Sequence, residues 1–230
     1  MNLNDLIGHV RRDLDDMVNN PYLYSDEELT GWLNQAVLEA AIRARLLKDD
    51  ARTNPTMCAL AVTAGQYDVA ISDLIFVVRH AHMAAGSRPL LRVTTKTLDR
   101  LEPGWDQLTP ADIAGTPKYL VMDVSQGLVR LHPPTAAADT LNIRVWRKPL
   151  EDEVLELPDD EPAVRITDPE ALKHWALRCA YLVKDSELYD PERATQHEGI
   201  FEARFGKRPT EHEMQRWLDN PPTAPRGHFF

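Results

Sequence analysis

His80 and His82 are the pair of side chains in this sequence best spaced for chemistry. Alternate residues of a β-strand project to the same face, so the two imidazoles would stand side by side and offer nitrogen ligands to a transition metal. A metal-dependent hydrolase built on them would also need a carboxylate, and Asp68 and Asp73 are the conceivable donors. No third ligand follows from spacing, so the competing reading is a surface or interface histidine pair. His174, beside Trp175, is a conceivable general base, but no serine, cysteine or carboxylate is assigned to it by spacing, and it reads as helix surface.

Other charged groups carry less chemistry. Asp or Glu stands at positions 151, 152, 153, 156, 159, 160 and 161. Without the Asp-x-Asp-x-Asp-Gly geometry that wraps a cation, this stretch reads as a solvated connection. Arg43, Arg45, Lys48 and Arg52 gather at the end of a predicted helix, where cations complement the helix dipole. Phosphate loops, dinucleotide fingerprints, nucleophile elbows and zinc spacings are missing from the sequence, and Gly206-Lys207 lacks the upstream glycine of a P-loop. The sequence therefore assigns no catalytic residue, no cofactor and no metal site, and the chain reads as a non-enzyme.

The net charge of -10 argues against a protein that grips nucleic acid by its phosphates, and so against a DNA-binding regulator built on the N-terminal helices. A surface that DNA slides past is compatible with it. The apolar runs at 58–62 and 74–78 fall far short of the roughly 20 residues that cross a bilayer, so no membrane association is expected. The N-terminus has neither a basic nor an apolar signal region, and a cytosolic folding compartment is expected. Cys58 and Cys179 lie far apart in apolar company, which predicts two reduced, buried thiols.

These residues must be positioned by helices at both ends of the chain and strands between them. Leu3, Leu6, Ile7, Val10, Leu14, Met17 and Val18 recur at helical spacing, and Asn19-Asn20-Pro21 ends that helix. Ser25 with Glu28 forms a capping box and Tyr24 staples to Leu29, starting a second helix whose broad apolar face runs from Leu29 to Leu47. Between these helices and the acidic stretch, short β-branched and aromatic runs predict strands near 57–63, 74–83, 90–94, 119–124, 128–132 and 141–147, with a short helix after Thr94. Leu141, Ile143 and Val145 alternate with Asn142, Arg144 and Trp146, which puts an indole on the outer face, where it would suggest an interface. Thr167 or Asp168 caps a helix carrying Leu172, Trp175, Ala176 and Cys179. Asp190-Pro191 opens another helix, anchored by Ile200, Phe201 and Phe205 and closed at Gly206. Thr210 with Glu213 caps a last short helix bearing Met214, Trp217 and Leu218, and a Pro-containing tail ends in Phe229-Phe230.

The expected class is α+β: a helical bundle from the N- and C-terminal helices with an inserted antiparallel β domain, sandwich or barrel-like. The expected boundaries are 1–52 and 163–220 for the bundle, 53–162 for the β domain and 221–230 for an extended tail.

Several of these segments together resemble the head-to-tail adaptor proteins of tailed bacteriophages. They are the helix leading into Pro-Tyr-Leu-Tyr-Ser-Asp-Glu-Glu-Leu and Leu-Asn-Gln-Ala, Gly115-Thr116-Pro117-Lys118-Tyr119 before a strand, Leu128 through Pro134, and Trp-Arg-Lys-Pro ending at Pro149. The helix around His174-Trp175-Ala176, Asp190 through Ala194 and Phe201 through Gly206 complete the likeness. It implies a structural virion protein with no active site. Such a protein forms a closed ring of about a dozen copies with itself, docks on the portal protein, presents a surface to a tail or nozzle protein, helps retain the genome and surrounds the passing DNA. Other neck or tail-completion proteins are the alternative within the same class. On this reading Trp146, Trp217, Phe229 and Phe230 are the candidate partner-binding residues.

Overall fold

In a computed structural model of the protein, which describes residues 1–18, 21–86, 88–109, 113–184 and 186–219, the fold is α+β. Along the chain run α1 (Leu3–Asp13), α2 (Asp26–Ala44), β1 (Lys48–Asp49), α3 (Pro55–Cys58), β2 (Ala59–Val62), β3 (Asp68–Ala70), β4 (Ile75–Met83), β5 (Leu91–Val93) and α4 (Thr95–Leu101). They continue with β6 (Tyr119–Ser125), β7 (Leu128–His132), β8 (Asp139–Arg147), α5 (Lys173–Tyr181), α6 (Pro191–Phe205) and α7 (Glu211–Asp219). Single 3-10 turns lie at Trp105–Gln107, Glu151–Glu153 and Pro169–Leu172. The chain divides into a helical unit, Met1–Leu47 with Lys148–Arg208, and a β unit, Lys48–Arg147 with Pro209–Phe230.

The helical unit is built by caps and apolar stripes. Ser25 Oγ accepts from the Glu28 backbone N–H at 3.2 Å while Glu28 Oε2 accepts from the Ser25 N–H at 2.9 Å, so two otherwise unpaired donors at the start of α2 are satisfied reciprocally. Leu29, Leu33, Ala36, Val37, Ala40 and Ala41 then bury one face of α2 against a core shared with Leu6 and Val10 of α1, Leu172 and Leu177, and Phe201 of α6. Asp190 caps α6 by accepting from the N–H groups of Glu192 and Arg193, and Gly206 closes it at φ +89°, a conformation that side-chain-bearing residues resist. Asp168 stands at the cap position before Pro169, without a side-chain cap bond.

Several details depart from the sequence reading. Helix α1 stops at Asp13 rather than continuing through Val18. Asp15 turns the chain at φ +57°, and Asp16 ties it back by accepting from Arg11 and from the Leu23 N–H, leaving Met17 and Val18 exposed. Ile200, expected as a core anchor, is exposed, while Phe201 and Phe205 are buried. Cys58 is fully buried, but Cys179 is only half-buried. The acidic stretch is no solvated linker throughout. Leu155 is buried and its backbone is held in both directions by Asn34, while Leu3 N–H and Asn4 N–H donate to the carbonyls of Asp160 and Pro158. These bonds attach the stretch to the helical unit.

The β unit holds two four-stranded sheets. In the first, β8 is central, pairing with β4 along one edge and with β2 and β1 in turn along the other, all antiparallel. The second runs β3-β7-β6-β5. Their inner faces share one core that includes Val62, Val78, Ala81, Leu120, Val129, Leu131, Leu141 and Ile143, which makes the unit a sandwich. Strand β5 pairs parallel to β6, so the second sheet is mixed rather than wholly antiparallel. A parallel pair needs a crossover. Here α4 and the Trp105 turn supply it, packing Leu98 and Trp105 on Val93 and Val121. Met57 and Cys58, read as the start of a strand, lie instead in helix α3, because Asn54 accepts from Met57 N–H and Pro55 takes the first helical position. Helix α7 belongs to this unit, beside β5, and not to the helical bundle.

Candidate functional site

The outer face of the β4–β8 pair gathers the residues singled out for chemistry. His80 lies opposite Arg144 and His82 opposite Asn142 in the antiparallel register, with the imidazole centroids 5.6 Å apart. The Nδ1 atoms of both histidines are sealed from solvent and have no hydrogen-bond partner among the described residues. Burial first, and then the positive charge of Arg144, push the His80 pKa below its ordinary value, so this ring is held neutral. No group of three potential metal ligands occurs among the described residues. Both conceivable carboxylates are placed elsewhere: Asp68, on β3 of the other sheet, is gripped by Arg130 Nε and Nη2 at 2.7 and 2.9 Å, and Asp73 lies against the turn at Gly127.

Trp146 is half-buried on the same face, with the Arg79 guanidinium 4.9 Å from its ring centroid. Arg79 went unremarked in the sequence because strict alternation sends it and His80 to opposite faces. A register shift between Val78 and His80 breaks the alternation and turns Arg79 onto the indole. A cleft beside this patch is lined by Asp50, Arg52, His82, Asn142 and Arg144. Asp50, the carboxylate on that lining, is turned into its own loop, accepting from the backbone N–H groups of Arg52 at 2.8 Å and Thr53 at 3.1 Å. Those bonds hold its pKa low. Arg52, Arg79 and Arg144 are exposed. Trp217 is half-buried on α7, and Phe229 and Phe230 lie outside the described residues.

The helical unit treats its polar groups differently. Arg11, buried, donates to Asp16 Oδ2 at 2.8 Å, Asp26 Oδ1 at 2.6 Å and the Tyr24 carbonyl at 2.9 Å, with the Tyr22 ring 3.9 Å from its guanidinium. Arg43, read as part of a basic helix end, is inside. It donates to Glu39 at 2.9 Å and lies over the rings of Trp175 and Phe201. His174, read as helix surface, is half-buried with its Nδ1 3.0 Å from Nδ1 of His197, and the Tyr181 ring stacks on His197 with centroids 5.6 Å apart. Burial lowers the pKa of both histidines.

Charge is divided unequally. Of the 36 Asp and Glu and 26 Lys and Arg in the chain, 23 and 13 belong to the helical unit and 13 and 13 to the β unit. The whole net charge of -10 therefore sits on the helical unit. No described helix is long and apolar enough to cross a membrane.

Among the described residues no nucleophile, base and orienting partner are assembled together, and the outer β4–β8 face stands out as cationic and aromatic. None of the curated proteins matches the chain. The family model described as SU10 adaptor protein matches residues 1–226, which takes in both units and both halves of the helical one. The chain thus belongs to the SU10 adaptor protein family, a family of bacteriophage head-tail adaptors.

Proposed function

We propose that the protein is a ring-forming structural subunit of the virion neck. About a dozen copies close under cyclic symmetry through one repeated heterologous contact. One side of the ring docks on the portal protein and the other receives a tail or nozzle protein. The ring helps retain the packaged genome and forms part of the conduit through which DNA leaves, and its role is architectural rather than catalytic. The observation that carries this reading is the family match over residues 1–226, which takes in both units.

The division of charge supports the conduit role. Ten net negative charges per helical unit, repeated around a ring, give a wall that repels a passing duplex. Trp146, Trp217, Phe229 and Phe230 serve as aromatic anchors at subunit or partner contacts in this proposal, since indole and phenyl rings supply large contact area at low conformational-entropy cost.

Electron microscopy and mass determination of the protein mixed with the portal protein encoded beside it test the reading. A stoichiometric ring seated on the portal is the expected result. A monomer that ignores an intact portal would overturn it and favour a different neck or tail-completion role.

A further inference from the structure

The ring contact just proposed must join two different surfaces of one chain, and two exposed surfaces match in charge. The first is the outer sheet face bearing Arg52, Arg79 and Arg144. No carboxylate lies within 4 Å of these three guanidinium groups in the described ion pairs, and Asp50, the acid on the neighbouring cleft lining, is occupied by its own loop. The second surface is the acidic strap at 151–161. Glu151, Asp152, Glu156, Asp159 and Glu161 are exposed there, and between them stand two exposed apolar side chains, Val154 at 40% and Leu157 at 66% exposure.

The strap is built to present these groups. Asp160 accepts from the Glu156 and Leu157 N–H groups at 2.8 and 2.6 Å, Asn34 holds Leu155 in both directions, and the start of α1 donates to the carbonyls of Pro158 and Asp160. A loop fixed in this way loses little conformational entropy when it docks. A solvent-exposed cationic face and a hydrogen-bonded acidic loop tipped with leucine are complementary, and opposite charges across an interface set its register and exclude wrong pairings.

We infer that the 151–161 strap of one copy docks on the β4–β8 face of the next, with Leu157 at the cleft between Arg52, His82 and Arg144, and with Glu156 and Asp159 paired with Arg79 and Arg144. This rests on the ring reading and names the contact that repeats around the ring.

Charge reversal on the full chain tests it, with ring formation on the portal read by electron microscopy and mass. Arg79→Glu with Arg144→Glu, and separately Glu156→Arg with Asp159→Arg, are each expected to lower ring occupancy at least tenfold. The chain carrying all four reversals is expected to recover it. Circular dichroism of each variant confirms the fold. Rings formed normally by either double variant, or no recovery in the fourfold variant, would overturn this contact while the ring itself stands. Failure of the wild-type chain to form rings would remove the ring reading and this contact with it. Duplex DNA binding that disappears in the Arg79→Glu, Arg144→Glu variant while rings persist would reassign the face to DNA and overturn the docking.

Discussion

In the helical unit Arg11 and Arg43 are drawn inside against Asp16 and Glu39; on the outer sheet face of the β unit Arg52, Arg79 and Arg144 are left outside, and Asp50 beside them is folded into its own loop. Arg11 and Arg43 are buried between carboxylates and aromatic faces, which compensates the desolvation of each guanidinium. In the β unit Arg147 is buried with Asp49, and Arg92 donates to the Val78 carbonyl, but Arg52, Arg79 and Arg144 remain in solvent. Local charge, and not the net charge of the chain, therefore decides what each surface attracts.

The largest effect that would break this contrast is on stability. Arg11→Ala strands Asp16, 3% exposed, without its cation, and removal of one partner from a buried pair costs about 3–5 kcal/mol. Arg79→Ala, on an exposed guanidinium, is expected to stay within about 0.5 kcal/mol. Urea unfolding of both variants checks the pair, and equal losses would erase the distinction between structural and presented arginines.

A comparable loss, sorted by unit, sharpens the comparison. Phe201→Ala removes a fully buried ring packed on Trp175 and Phe205 and should destabilise the helical unit by about 3–5 kcal/mol, whereas Leu141→Ala strikes the sandwich core by about 2–5 kcal/mol. Each unit carries its own reporter. Burial pushes the Cys58 thiol up to about 11 in the sandwich and raises that of Cys179 in the helices. Iodoacetamide at pH 8 should therefore label Cys179 faster in Phe201→Ala and Cys58 faster in Leu141→Ala. Labelling of both thiols at one rate in both variants would mean that the two units open together.

The histidines give an intermediate effect confined to the helical unit. Burial holds His174 and His197 below the ordinary value of about 6.5, with Lys173 and Arg193 opposing their protonation and Asp13, Glu170 and Asp168 favouring it. As pH falls below that ordinary value the unfolded chain takes up protons that the folded unit refuses, so stability is full at neutral pH and is lost down through the lowered folded values. The Nδ1 atoms, 3.0 Å apart, also cannot both carry protons without repulsion. Thermal unfolding at pH 7.5 and 5.5 should show a larger drop for the wild-type chain than for His174→Asn with His197→Asn. An unchanged drop would place the acid sensitivity elsewhere.

What was legible in the sequence was local chemistry. The Ser25 and Thr210 capping boxes, the Asp190-Pro191 start, the Gly206 stop and the alternation along β8 each depend on residues within a few positions of one another, and each is found. What was not legible depends on distant partners. Strands β1 and β3 are too short to carry a period and exist because β8 and β7 pair with them. The parallel β5–β6 pair is set by a crossover, and Arg79 reaches Trp146 only through a register shift. Leu155 reads as one apolar residue in an acidic run until Asn34, far away in sequence, binds its backbone.

The smallest effect compares one motif in both units. Ser25 with Glu28 and Thr210 with Glu213 have matching geometry, each hydroxyl accepting at 3.2 Å and each carboxylate at 2.9 Å. Loss of such a cap costs about 1 kcal/mol of local helix stability. Helix α2 spans 19 residues and its buried face is part of the main helical core, so Ser25→Ala should lower global stability by that amount. Helix α7 spans 9 residues and lies beside the short strand β5, so Thr210→Ala should fray α7 alone. Amide exchange separates the cases: faster exchange confined to α7 in Thr210→Ala, and a modest, uniform acceleration through the helical core in Ser25→Ala. A global loss from Thr210→Ala equal to that from Ser25→Ala would instead make α7 an integral part of the cooperative β unit.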